Sequence, residues 1–195
     1  MRKKSHISLA NHMLAEFKDD ALLAHTFMFR FGSLLPDLVP TFITKKHQIE
    51  TTFDILEDKL YKILKEYDGT QGLSMRLCKD LGVITHYIAD YFTLPHNKKF
   101  RGGLKEHVTY EEVLKHAMRR YVRLDYIGCQ PLIRMRMSSV DDICTFKKNC
   151  HREYIRMTID GQDIDCRYSV EVCRQVIEAL LKLLHQQQYT YRLAV

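Results

Sequence analysis

The stretch Thr85-His86-Tyr87-Ile88-Ala89-Asp90-Tyr91-Phe92-Thr93-Leu94-Pro95-His96-Asn97 decides how the chain is read. It closes a segment, Leu73 to Phe92, that is apolar around much of a helix circumference, as a buried helix is. His86 and Asp90 stand four apart, so on a helix their side chains leave the same face one turn from each other and can grip one ion. Pro95 disfavours further helix and pushes Leu94 toward an extended conformation, which places His96 at or beyond the helix end, pointing elsewhere. Two ligand positions on the helix and one past it suggest more than one metal. Taken alone, a His-x3-Asp pair is more often a core histidine hydrogen-bonded to a carboxylate.

Neighbouring residues change that balance. His107 and Glu111 repeat the four-residue spacing on the next helical segment, and His6, Asp37 and His47 lie upstream. His6, Asp37, His47, His86, Asp90, His96, His107 and Glu111 together form a nitrogen and oxygen donor set that suits zinc.

Helical periodicity runs through Ile7 to Phe17, Ala21 to Phe31, Thr51 to Tyr67, Leu73 to Phe92, His107 to Asp125, Ser138 to Met157 and Tyr168 to Gln188. Gly32-Ser33-Leu34-Leu35-Pro36-Asp37 reads as a turn that leaves Asp37 on a loop, with an irregular piece from Val39 to Lys46. Gly102-Gly103 and Asp160-Gly161-Gln162-Asp163 mark further loops. No convincing strand, internal repeat or low-complexity linker interrupts the pattern. The expectation is an all-α fold in which residues 1–195 form a single domain, a multi-helix bundle with a metal site between its helices.

A chain of 195 residues, 46% hydrophobic and 28% charged, can bury a sizeable core without staples. No apolar run approaches the roughly 20 residues of a membrane span. The start is basic, but His6, Asn11, His12 and Glu16 interrupt any signal-peptide core, so the expected location is cytoplasmic. Cys78, Cys129, Cys144, Cys150, Cys166 and Cys173 are scattered without a Cys-x2-Cys pair and read as reduced thiols. The net charge of +6 is concentrated at Arg2 to Lys4, Lys98 to Arg101 and Arg119 to Arg136, a rim suited to an anionic substrate such as a phosphodiester. With no Trp and no nucleic-acid-binding motif, no stable nucleic-acid complex is expected.

In order and spacing, His86-x3-Asp90-x5-His96 followed by His107-x3-Glu111 resembles the zinc-dependent phospholipase C family, whose fold is shared with the S1/P1 nucleases. Gly32-x3-Pro36-Asp37 and the later His47 strengthen the likeness, which spans Ser5 to Glu111. The resemblance implies an all-helical enzyme with a trinuclear zinc site at the base of a cleft, here with two to three ions. It places Asp37, His47, His86 and Asp90 on one zinc, Asp90 also bridging to a second ion with His6, and His96, His107 and Glu111 on a third. Asp37 and Asp90 are then the catalytic carboxylates. The implied activity is hydrolysis of a phosphate ester, most simply a phosphodiester, by a metal-held hydroxide. A phospholipid, a nucleotide and a small phosphodiester all satisfy such a site. The competing readings are an S1/P1-type nuclease and a non-catalytic helical protein keeping a structural or remnant metal site.

The chain departs from the family at its start. Secreted members chelate zinc with the amine and carbonyl of an N-terminal Trp, and this chain has none. The Met1 amine, five residues before His6, is the available substitute, with the cations of Arg2, Lys3 and Lys4 close by. His12, His25, His116, His151 and His185 fall outside the pattern. No histidine is followed by Asp, and Glu-x-x-His and His-Glu-x-x-His are absent, which removes HD-type phosphohydrolases, di-iron bundles and zincins.

Overall fold

A computed structural model describes residues 1–39, 48–124, 133–157 and 161–194. Among them are eight α-helices and no strand: α1 Lys3–Phe17, α2 Asp20–Leu23, α3 Thr26–Leu34, α4 Ile49–Glu66, α5 Met75–Tyr91, α6 Leu104–Arg123, α7 Val140–Met157 and α8 Gln162–Ala194. Two 3-10 turns, Leu35–Asp37 and Leu94–His96, follow α3 and α5. The all-α expectation holds.

The centre is α5. Ser74 caps its start by accepting the Leu77 N–H at 3.3 Å, and every residue from Leu81 to Tyr91 is buried. Around it lie α1, α3, α4 and α8. A helix enclosed on all sides cannot show a clean polar stripe, which is why its sequence is apolar nearly all round.

The tightest of these contacts is the crossing of α3 and α5. A Cβ added at Gly32 would lie 2.0 Å from the Lys79 carbonyl oxygen, and one added at Gly82 would lie 2.1 Å from the Phe29 carbonyl oxygen. The two helices therefore touch backbone to backbone at a pair of glycines. This corrects the reading of Gly32 as the start of a turn: α3 continues through it to Leu34, and the missing side chain is what the crossing requires.

Other differences have local causes. The helix expected from Ala21 to Phe31 is two helices, α2 being a single turn whose Leu22 N–H is capped by the Asp19 carboxylate at 2.9 Å. Asp37 ends a 3-10 turn and does not sit on an open loop. Past α5 the extended residue is Thr93 (φ −123°, ψ 122°), one before the position expected, and Leu94 enters the turn. The last helix begins at Gln162, inside the expected loop, with Asp163 and Asp165 in its first turn where acidic groups favour the helix dipole. Cys78, Cys144, Cys150, Cys166 and Cys173 are buried free thiols; Cys129 and His47 lie outside the described residues.

One core residue works against stability. Lys147 of α7 is fully buried, its Nζ 4.6 Å from the Phe53 ring centre on α4 and without a hydrogen-bond partner among the described residues. Burial pushes its ammonium down to about 8 from 10.5. Between those values the unfolded chain holds a proton that the folded one lacks, so stability rises with pH there; below pH 8 the full cost of the buried charge is borne. Lys147→Met is expected to raise stability by about 1–3 kcal/mol at pH 7, less at pH 10. Thermal unfolding of both proteins at the two pH values checks this, and equal midpoints at pH 7 would contradict it.

Candidate metal centre

The crossing of α3 and α5 sets the first ligand. With the helices in contact at Gly32 and Gly82, the Ser33 carbonyl reaches His86 Nδ1 at 2.9 Å. A carbonyl only accepts, so Nδ1 carries the proton and Nε2 presents its lone pair inward. That Nε2 lies 3.3 Å from Asp90 Oδ2 and 3.8 Å from Asp37 Oδ1.

From α1, His6 stacks on His86 with ring centres 3.8 Å apart and planes 16° from parallel. Its Nε2 comes within 3.4 Å of Asp90 Oδ1. Apart from that approach, neither ring nitrogen of this buried side chain has a hydrogen-bond partner among the described residues. Burial, with His86 beside it, pushes the imidazole down to about 3, so it is neutral with a lone pair available.

A second group forms where α5 ends. The turn Leu94–His96 and the first half of α6 bring His96, His107 and Glu111 together, the two Nε2 atoms standing 3.3 and 3.1 Å from Glu111 Oε1. Each triad, His6 with His86 and Asp90 and His96 with His107 and Glu111, offers donor atoms within 4.8 Å of one another. Asp90 Oδ1 is 3.9 Å from His96 Nε2, so this carboxylate faces both groups.

The Met1 amine enters the same space, 2.5 Å from Asp90 Oδ1, 3.0 Å from His96 Nε2 and 3.3 Å from Glu111 Oε1. It lies between the two groups, not beside His6 alone. The expected crowding of cations is eased because Arg2 pairs with Glu112 at 2.5 Å and Lys3 and Lys4 are exposed. Burial opposes the charge on the amine, but Asp90, Glu111 and Asp37 outweigh it and raise the ammonium above 8.0. Burial likewise opposes the charges on the acids. His96 and the Met1 ammonium nevertheless hold Asp90 well below the carboxylate range. The His96 hydrogen bond, with the ammonium, brings Glu111 to about 2.

The donor set fits zinc. A neutral buried histidine facing a carboxylate, a histidine whose outer nitrogen is fixed by a carbonyl, and ionised carboxylates between imidazoles are what a dication needs and what a packed core avoids. Outside the centre, His12, His116 and His185 lie beside Glu16, Glu112 and Asp19, and His151 beside the Asn97 amide oxygen at 2.7 Å.

Residues 5–164 match the family described as zinc dependent phospholipase C. The chain belongs to that family. Neither a curated protein nor a solved structure matches it. The zinc-dependent phospholipase C match extends past Glu111 through α7 and ends three residues into α8.

Those later helices supply a support that the ligand spacing does not reveal. Asp165, buried on α8, accepts the Leu94 N–H at 3.0 Å, the Tyr110 hydroxyl at 2.9 Å and the Tyr154 hydroxyl at 2.7 Å. It thereby ties the turn carrying His96 to the helix carrying Glu111. Burial raises its carboxyl to about 6, against the pull of the three donors. Asn97 adds to this by donating to the Tyr91 and Thr93 carbonyls at 3.1 and 2.9 Å. Asp165→Ala strands three buried donors and is expected to cost about 3 kcal/mol and to weaken zinc at His96 about tenfold. Thermal unfolding and a zinc-competition titration test the two parts, and unchanged zinc affinity would remove the positioning role.

Proposed function

We propose that the chain is a zinc-dependent hydrolase of phosphate esters, most simply a phosphodiesterase of phospholipase C type. The observation that carries this reading is the position of Asp90, which faces two imidazole and carboxylate groups, one of which, His96 with His107 and Glu111, lies in the wall of a cavity of about 580 Å³. Asp37, His96, His107 and Glu111 line that cavity beside Met1, Arg2, Lys3, Lys4 and Lys115.

His6, His86, Asp90 and Asp37, with His47, would hold metal on one side; His96, His107 and Glu111, sharing Asp90, would hold it on the other. Zinc bound there supplies Lewis acidity at phosphoryl oxygens and lowers the pKa of water. The chain's own residues do the remainder. Lys3 and Lys4 draw a phosphate dianion or monoanion into the cavity, while Lys115 in its wall is paired with Glu112. Asp37, facing both His86 and the cavity, is placed to take a proton from the attacking water, while Asp90 fixes the spacing of the two groups.

The test is hydrolysis of a chromogenic phosphodiester and its monoester by zinc-loaded protein, before and after chelation. Expected are turnover of the diester, loss with chelator and recovery with zinc. Bound zinc without turnover on either ester would assign the site a structural role instead.

A further inference from the structure

Asp90 and His96 are joined by a short stretch of chain, and Asn97 closes that stretch by donating to the Tyr91 and Thr93 carbonyls. Carbonyls only accept, so both N–H bonds of the amide are committed and its oxygen is left to meet a donor. That oxygen lies 2.7 Å from His151 Nε2 on α7, and because it too only accepts, His151 carries its proton on Nε2. The ring packs against Phe92 and Tyr154, with ring centres 5.9 and 6.2 Å away. Burial pushes His151 below its ordinary value, against the pull of Glu50, so the imidazole is neutral and has a single N–H to give. Asn97 is buried as well, where an amide oxygen without a donor is costly. One turn further along α7, the Ile155 carbonyl accepts from Lys99, which fastens the chain after His96 to the same helix.

We propose that His151 is a positioning residue for the His96 ligand: by donating to Asn97 it fixes the amide that closes the chain between Asp90 and His96, and so sets the zinc affinity of the group formed by His96, His107 and Glu111. The inference rests on the zinc centre of the proposed hydrolase and adds a residue that belongs to neither triad. Without the His151 donor the buried oxygen is unmet, and rotating the amide to relieve it gives up the two carbonyls and frees the turn Leu94–His96. His96 Nε2 then loses its alignment with Glu111 Oε1 at 3.3 Å and with Asp90 Oδ1 at 3.9 Å. The other group is set differently, His86 by the Ser33 carbonyl and His6 by its stacking on His86, so its geometry survives the change.

Zinc-competition titration of the full chain compares the wild type with His151→Leu, which fills the space without a donor, and with His151→Gln, whose amide N–H can reach Asn97. His151→Leu is expected to weaken the zinc step at His96 about ten- to a hundredfold and to leave the step at His6 and His86 within about twofold, while His151→Gln restores most of the loss. Cobalt in place of zinc reports the same change as an altered visible spectrum. Ile143→Ala, which truncates a fully buried side chain elsewhere on α7, lowers stability alone and should leave both steps unchanged. Nitrogen-15 NMR of the wild type needs no variant to fold: His151 should show a protonated Nε2 and a bare Nδ1. The opposite tautomer, equal zinc affinity in wild type and His151→Leu, a loss that His151→Gln does not restore, or the same loss in Ile143→Ala would each overturn the proposal. If the wild type takes up no zinc, the centre itself fails; normal uptake by every variant removes only the role of His151.

Discussion

Asp90→Asn is expected to abolish hydrolysis, by at least about a thousandfold, and to cost close to two zinc ions per chain. Asp90 is fully buried, with Oδ1 turned toward the Met1 amine, His6 and His96 and Oδ2 toward His86. Asparagine keeps the size and helix compatibility but removes the negative charge that offsets two dications, and an amide bridges metals poorly. Glu111→Gln changes a group that meets His96, His107 and the Met1 amine and that belongs to one triad, so loss of about one ion and slow residual turnover are expected there. If Asp90 were simply the helix partner of His86, its replacement would alter stability without altering metal content. Zinc stoichiometry of the two folded variants separates these cases, and equal content in Asp90→Asn and wild type would refute the shared carboxylate.

Gly82→Ala is expected to cost about 3 kcal/mol or more of stability for a single added carbon, together with loss of zinc. The new methyl would stand 2.1 Å from the Phe29 carbonyl oxygen and 2.8 Å from the Ser33 nitrogen, atoms of backbone that cannot rotate away as a side chain can. Relief requires α3 to move off α5. That motion carries the Ser33 carbonyl from His86, which sits one turn after Gly82, and frees the imidazole to lose its orientation. Gly69→Ala is the comparison: its nearest neighbour is 3.1 Å away at the Gln188 Cα, so a shift of a few tenths of an ångström suffices and zinc content should not change. Similar unfolding midpoints for Gly82→Ala and wild type would show that the crossing is looser than its geometry states.

Much of this arrangement is legible in the sequence because helical ligands recur at fixed intervals. His86 with Asp90 and His107 with Glu111 are pairs within one helix, and Pro95 announces that His96 leaves α5. What is not legible depends on residues far apart in the chain. Gly32 beside Pro36 reads as a turn until its neighbour, the Lys79 carbonyl, is known. Asp165 serves the centre through partners 71, 55 and 11 residues away, a pattern with no local period. His6 has one spacing clue, its family position, and none for its stacking on His86. Lys147 looks like any surface lysine of an amphipathic helix, and only the approach of Phe53 shows it to be inside.

The approach of the Met1 amine to Asp90, His96 and Glu111 bears on how the metal content should be measured. Any residue left ahead of Met1 would convert the amine to an amide and push it against groups only 2.5 to 3.3 Å away. The decisive measurement is therefore elemental analysis of the chain with its Met1 amine free, after dialysis from zinc. Two or more equivalents per chain are expected from the two groups that share Asp90; less than one equivalent under zinc-replete conditions would contradict a zinc centre at these residues.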